Sequence, residues 1–226
     1  MTRDLPSGRR VAPSILSADF ARLGDQVATV MDAGARVVHV DVMDGHFVPP
    51  ITIGALIVES LRDPVHAAGG WLDVHLMIDR PERHVPDFAA AGADSINIHQ
   101  EATPHVDYTL NLIRDAGCRA GLAITPATPV EMVREVRGIL DIALCMTVNP
   151  GWGGQPFIES SLDKIARLRD LLPEKVALTV DGGIDVQTAG PCAEAGATLF
   201  VAGSAVFGAE DPAAAYGEIA AAAGAT

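Results

Sequence analysis

Four near-copies of one tripeptide set the frame of this chain: Ala33-Gly34-Ala35, Ala91-Gly92-Ala93, Ala116-Gly117-Cys118 and Ala195-Gly196-Ala197. Each sits between an amphipathic helical pattern and a short run rich in Val, Ile and Leu, where a glycine just past a helix end supplies the left-handed cap of an αβ turn. Apolar runs begin near Val11, Arg36, Trp71, Asp94, Arg119, Asp141, Lys175 and Thr198. They give eight strands, each followed by a helical pattern such as 19–33 or 161–171. Runs without strict alternation suit a parallel sheet covered by helices. The spacing predicts eight βα units of about 28 residues each, a closed (β/α)8 barrel somewhat shorter than usual. An open, doubly wound sheet is the alternative, but no G-x-G-x-x-G follows the first strand. Residues 1–10 read as a flexible N-terminal extension and 11–226 as one barrel domain.

Charge narrows the partners. Against 29 Asp plus Glu stand 16 Lys plus Arg, a formal net charge of −13, which argues against a nucleic acid or an acidic membrane as partner, since both demand clustered cations. With 49% hydrophobic and 20% charged residues the chain can bury one sizeable core. No apolar run is long enough to span a membrane, and no signal-type apolar region follows the polar first ten residues, so the reading is a soluble cytoplasmic protein. Cys118, Cys145 and Cys192 are odd in number and lack metal-site spacing, and are read as buried free thiols.

In a (β/α)8 barrel the chemistry sits at the C-terminal ends of the strands, and the polar residues of this chain fall there. Residues i, i+2 and i+4 of a strand share a face, so His39, Asp41 and Met43 point one way on strand 2, as do Asp73, His75 and Met77 on strand 3. Neighbouring strands then bring His39, Asp41 and His75 together, and Asp181 at the end of strand 7 joins them from across the barrel. Two imidazoles and two carboxylates make a four-ligand set for a divalent Zn, Mn, Fe or Co ion. Asp73, two residues before His75, is read as an orienting carboxylate. Met43, Met77 and Met146 would line the cavity as polarisable, water-excluding walls. Strand 4 ends at Asn97-Ile98-His99.

Gly182-Gly183 and Gly203-Ser204 follow strands 7 and 8, where such barrels bind phosphate through backbone N–H groups. The loop Pro150-Gly151-Trp152-Gly153-Gly154-Gln155-Pro156 reads as a cover for the ligand, with its glycines as hinges. The two lysines, Lys164 in a helical pattern and Lys175 at the start of strand 7, are away from the strand C-termini, which disfavours Schiff-base and pyridoxal phosphate chemistry. The chain has no G-x-S-x-G nucleophile elbow. A metal, two carboxylates and a phosphate pocket without lysine point to proton abstraction beside a carbonyl. Asp41 and Asp181 lie on nearly opposite strands, so one can take a proton from one face and the other return a proton to the opposite face, which inverts a stereocentre.

Ala12-Pro13-Ser14-Ile15-Leu16-Ser17-Ala18-Asp19-Phe20, the runs 39–49, 73–77, 148–155 and 180–183, and Val201-Ala202-Gly203-Ser204-Ala205 resemble, in the same order, the ribulose-phosphate 3-epimerases. The resemblance implies a TIM barrel of the ribulose-phosphate-binding type that interconverts D-ribulose 5-phosphate and D-xylulose 5-phosphate in pentose phosphate metabolism. It also implies one divalent ion per chain and a homo-oligomer. Carried over by motif, the metal ligands are His39, Asp41, His75 and Asp181, with Asp41 as proton acceptor and Asp181 as proton donor. Ser14, His75 and Asp181 touch the sugar. Gly151, Trp152, Gly153 and Gly154, with Gly182, Gly183, Gly203 and Ser204, close over it and hold its phosphate.

Three departures lie near the pocket. Thr125 stands where the family often has Asn before Pro-Ala-Thr-Pro, Trp152 stands where Phe is usual, and Thr147 replaces a common Ser. They leave every proposed ligand in place and bear on which sugar is used, with a hexulose 6-phosphate such as D-allulose 6-phosphate as the alternative. Related decarboxylases and aldol synthases carry D-x-K-x-x-D on strand 3, whereas this chain reads Asp73-Val74-His75-Leu76-Met77-Ile78. A barrel that only binds a sugar phosphate is the non-enzymatic reading.

Overall fold

The structure, a computed structural model, describes Leu5 and residues 7–225. Its strands are β1 (Arg10–Pro13), β2 (Val37–Met43), β3 (Trp71–Met77), β4 (Ser95–His99), β5 (Arg119–Ile124), β6 (Ile142–Met146), β7 (Ala177–Asp181) and β8 (Leu199–Ala202). All pair in parallel, each with its neighbour in sequence, and β8 returns to pair with β1. One parallel bridge, between Ser14 and His39, joins β1 to β2. The result is the (β/α)8 barrel that the spacing predicts, with every strand starting within two residues of its expected position.

Helices α1 (Leu23–Asp32), α2 (Ala55–Ala67), α3 (Val85–Ala91) and α4 (Val106–Asp115) follow β1 to β4 in turn. After β6 comes α5 (Ser161–Leu171), after β7 α6 (Ala189–Glu194), and after β8 the short α7 (Ser204–Phe207) and then α8 (Pro212–Ala223). Two segments differ from the sequence expectation. The 19–33 pattern is α-helical only from Leu23, because the Asp19 carboxylate accepts from the Ala21 N–H and caps a separate 3-10 turn, Phe20–Arg22. Behind β5 a 3-10 turn, Val130–Val133, stands in for an α-helix. Pro129, extended at ψ 143°, stands at its N-cap. The glycines of all four tripeptides have positive φ, between 86 and 113°, as αL caps require.

The sheet separates two regions of packing. Val38, Val40 and Val42 of β2, Leu72, Val74 and Leu76 of β3, and Ile96 and Ile98 of β4 point outward into one large apolar cluster beneath the helices. Their alternate residues, His39, Asp41, Asp73, His75, Ser95, Asn97 and His99, are polar and buried and point the opposite way, into the barrel. These three strands therefore alternate, contrary to the expectation of runs without alternation. At the N-terminal end of the barrel Ala12, Val37, Trp71, Leu199 and Val201 form a separate apolar plug, against which Leu5 packs.

The guanidinium of Arg9 donates to the carbonyls of Ala193 and Ala223, and Arg10 opens β1. These two residues of the expected extension are thus tied to the barrel, while 1–4 and 6 lie outside the described residues. All three cysteines are buried and unpaired. No helix among the described residues is long and apolar enough to cross a membrane.

Candidate active site

The register of β2 against β3 sets His39 beside Asp73 and Asp41 beside His75. The first pair makes a hydrogen bond, His39 Nδ1–H donating to Asp73 Oδ2 at 2.7 Å. The other oxygen of Asp73 accepts from the Ser95 hydroxyl and, at 2.7 Å, from the Asn97 amide. Asp73 does orient an imidazole, as expected, but that of His39 on the neighbouring strand rather than that of His75 on its own. With its hydrogen fixed on Nδ1, His39 turns the lone pair of Nε2 toward Asp41 Oδ1, 3.3 Å away. That nitrogen is buried and without a hydrogen-bond partner.

His75 Nδ1 lies 3.0 Å from Asp41 Oδ1 and 3.4 Å from Asp181 Oδ2. The Ser14 hydroxyl donates to the other oxygen of Asp41 at 2.5 Å. Asp181 ends β7, where the Thr147 hydroxyl and N–H hold the carbonyl of Asp181 and the hydroxyl also reaches that of Gly182. Thr147 thus supplies the same hydroxyl contact that a serine could make.

One ligand atom from each of His39, Asp41, His75 and Asp181 lies within 4.8 Å of the others. The set fits a divalent cation. It offers two imidazole nitrogens and two carboxylates, one nitrogen is orphaned, and the carboxyl groups are partnered by imidazoles rather than by Lys or Arg. The electrostatics agree. Burial opposes charge on His39 and His75, yet the facing carboxylates outweigh it and raise both pKa values above the ordinary histidine range. Burial likewise opposes charge on Asp41 and Asp73, yet the imidazoles, with Ser95 and Asn97 at Asp73, hold both below the usual carboxylate range. The cluster thus draws positive charge into a buried site.

Above the cluster opens a cavity onto which Asp41 and Asp181 both face. Met43, Met77, Met146 and Ser14 are among the residues that line it. Gly151, Trp152, Gly153 and Gly154 border one side, and Gly182, Gly183, Gly203 and Ser204 the other. His75 is fully buried and is not among the lining residues. Gly183 has φ 66°, and a Cβ on it would meet the Phe157 backbone nitrogen at 2.7 Å, so only glycine gives this turn its close approach. Ser204 opens α7, so its N–H has no carbonyl within that helix to bond. In the loop after β6, the Gln155 amide donates to the carbonyls of Asn149 and Trp152 at 2.6 and 2.9 Å, tying the two ends of the turn together. Trp152 itself is half exposed.

Three residues with no role in the sequence reading also converge behind the site. His99 Nε2 lies 2.9 Å from His75 Nε2, and His99 Nδ1 lies 3.2 Å from Glu101 Oε2. Lys164 reaches from α5 to donate to the carbonyls of Thr125, Pro126 and Thr128 in the loop that holds Glu101. The signal for His99 was its place at a strand C-terminal end. Nothing in the spacing of Lys164 announced its reach.

Comparison with known proteins bears on the whole of this arrangement. The ribulose-phosphate 3-epimerase of Bacillus subtilis (strain 168) is 51% identical over 214 residues, covering 93% of this chain and 97% of that protein. That of Escherichia coli (strain K12) is 52% identical over 200 residues, covering 87% and 88%. Among solved structures, KGPDC from Streptococcus mutans aligns with TM-score 0.73 at 17% identity over 96% and 98% of the two chains. The 3-hexulose-6-phosphate synthase from Salmonella typhimurium aligns with TM-score 0.70 at 16% identity over 95% and 98%. At such identities these two show a shared barrel fold. A sequence model of the ribulose-phosphate 3 epimerase family matches residues 10–207, and with half of all positions shared with its bacterial members, the chain belongs to the ribulose-phosphate 3-epimerase family.

Proposed function

We propose that the chain epimerises D-ribulose 5-phosphate to D-xylulose 5-phosphate at C3, with Asp41 and Asp181 as the acid–base pair and His39, Asp41, His75 and Asp181 holding one divalent cation. The observation that carries this reading is the placement of Asp41 on β2 and Asp181 on β7, both facing one cavity with the two imidazoles behind them. A substrate lying between the two carboxylates loses the C3 proton to Asp41 and regains one from Asp181 on the opposite face, through an enediolate. When bound, the cation supplies positive charge that stabilises the negative charge developing on the substrate oxygens.

Ser14 holds Asp41 by its hydrogen bond and also faces the sugar. The three methionines exclude water from the reacting carbon. Gly182, Gly183, Gly203 and Ser204 offer backbone N–H groups to the phosphate, which fits an anionic substrate to a chain of net charge −13 without using lysine. The loop Gly151–Gly154 covers the ligand. His75 acts from behind the cavity through its contacts with Asp41 and Asp181. The reading extends to one catalytic domain, with Arg9 and Arg10 of the expected 1–10 extension joined to it, in the cytoplasm, and to a homo-oligomer for which exposed Ile51 and Leu56 supply apolar surface.

The test incubates the protein in D2O with ribulose 5-phosphate and, separately, with allulose 6-phosphate. Deuterium enters C3 of ribulose 5-phosphate as its epimer forms, and Asp41→Asn and Asp181→Asn each reduce turnover by roughly 10^2- to 10^4-fold. Exchange with the hexulose phosphate alone would move the reading to that sugar, and exchange with neither would refute it.

A further inference from the structure

The two imidazoles of the cation set are supported differently. Asp73 holds His39 directly, whereas His75 is backed by a second imidazole and only then by a carboxylate. We propose that His99 and Glu101 are positioning residues that fix which nitrogen of His75 carries its hydrogen, and so make His75 Nδ1 a metal ligand. The inference rests on the four-residue cation set and adds what prepares one member of it.

The chain of hydrogens can be followed from either end. Bonding a cation needs a lone pair on His75 Nδ1, the nitrogen that faces Asp41 and Asp181. The hydrogen of a neutral His75 is then on Nε2, where its partner is His99 Nε2 at 2.9 Å. Accepting it leaves the hydrogen of His99 on Nδ1, facing Glu101 Oε2. From the outer end, Glu101 Oε1 accepts from the Thr125 N–H at 2.9 Å and from the Thr128 hydroxyl, so the carboxylate is held with its second oxygen toward His99. An acceptor there asks for His99 Nδ1–H, and both ends demand the same arrangement. The outer end is anchored in turn, because the Lys164 ammonium grips the carbonyls of Thr125, Pro126 and Thr128 from α5.

Glu101→Gln tests this sharply because it conserves shape and reverses direction. The Thr125 N–H keeps the amide oxygen on the Oε1 side, which turns the amide NH2 toward His99 Nδ1. His99 must then carry its hydrogen on Nε2, His75 Nε2 becomes the acceptor, and the hydrogen of His75 moves to Nδ1, where it blocks the metal. Glu101→Ala removes the director without imposing the wrong direction, so it does less harm. A residue that serves only packing would give the opposite order.

The experiment titrates the full-length, metal-stripped protein with Co2+ against a competing chelator and monitors folding by circular dichroism. The dissociation constant of Glu101→Gln rises about 10- to 100-fold, and that of Glu101→Ala rises by less. A Glu101→Gln value within twofold of wild type, or Glu101→Ala weaker than Glu101→Gln, overturns the proposal. Should Glu101→Gln not fold, His99→Leu replaces it: loss of the acceptor for His75 Nε2–H weakens binding to a similar degree, and unchanged affinity refutes the relay. His39→Ala serves as reference. Wild type binding Co2+ no better than His39→Ala would sink the cation set itself, whereas a wild-type advantage without a Glu101 or His99 effect would sink the relay alone.

Discussion

Inside the barrel, β2 to β4 carry His39, Asp41, Asp73, His75, Ser95, Asn97 and His99, whereas β5 and β6 carry Gly121, Ala123, Leu144 and Met146. Both regions are buried, both belong to the same parallel sheet, and both turn Val, Ile or Leu toward the helices. They differ in how order is enforced. In the apolar sector Ala123, Leu144, Met146 and Val148 form a small cluster whose requirement is that space be filled. In the polar sector each side chain needs partners, since an unmade hydrogen bond there costs about 1–3 kcal/mol. Asp73 alone collects three donors. A barrel thus acquires a site by changing only the inward positions of a few adjacent strands, while the outward positions go on building the fold.

The sharpest break between the sectors comes from paired substitutions. His39→Ala should lose its bound metal and at least ~10^2-fold of epimerisation rate, as read by metal analysis and a coupled assay. Leu144→Ala should cost about 2–5 kcal/mol in urea denaturation yet keep its metal. If Leu144→Ala is stripped of metal as His39→Ala is, the two sectors are not separable. A smaller effect is expected at their border, where a Cβ on Gly121 would collide with the side-chain oxygen of Asn97. Gly121→Ala should push Asn97 from Asp73, destabilising the protein by about 1–3 kcal/mol, and Asn97→Ala in the same chain should recover part of that loss. Additive losses would show that the contact does not matter.

The smallest effect concerns acid. Hydrogen bonds from His99, Thr128 and the Thr125 N–H outweigh burial, the largest single influence, and bring the Glu101 pKa down from 4.5 to about 2. A depressed carboxyl stabilises the fold fully above its unfolded value and loses that contribution as pH falls from about 4.5 toward about 2. Denaturation midpoints across that window should therefore fall less steeply for Glu101→Gln than for wild type, and equal slopes would discount the Glu101 contribution. His99 is neutral above this range and takes up its proton near the range's upper end, since burial, only partly offset by Glu101, takes its pKa down to about 4.

How far the sequence could be read follows the same division. Strand positions were legible because each strand is an apolar run, with Val, Ile or Leu on the outward face of β2 to β5 and β7, and because four Ala-Gly turns mark where helices stop. The convergence of His39, Asp41, His75 and Asp181 was legible because the period of two along a strand puts His39 and Asp41 on one face. The partner of Asp73 was not, since it depends on the register that sets His39 beside Asp73, and register is a property of two strands together. The contacts of His99, Glu101 and Lys164 were out of reach for a related reason. They join β3, β4, the loop after β5 and α5, whose distances in space no spacing along the chain encodes. The missing helix after β5 is a departure that the repeating pattern did not signal, a 3-10 turn at Val130–Val133 in its place.

The joint between β1 and β2 rests on the Ser14–His39 bridge, whereas every other adjacent pair of strands shares a ladder of at least three residue pairs. The same two residues belong to the site. An ion held by His39, Asp41, His75 and Asp181 would tie β2 and β3 to β7 across the interior, past β8 and β1, much as a hoop holds staves whose last seam is unglued. On the proposed reading, loading the site would also close the ring across its weakest seam.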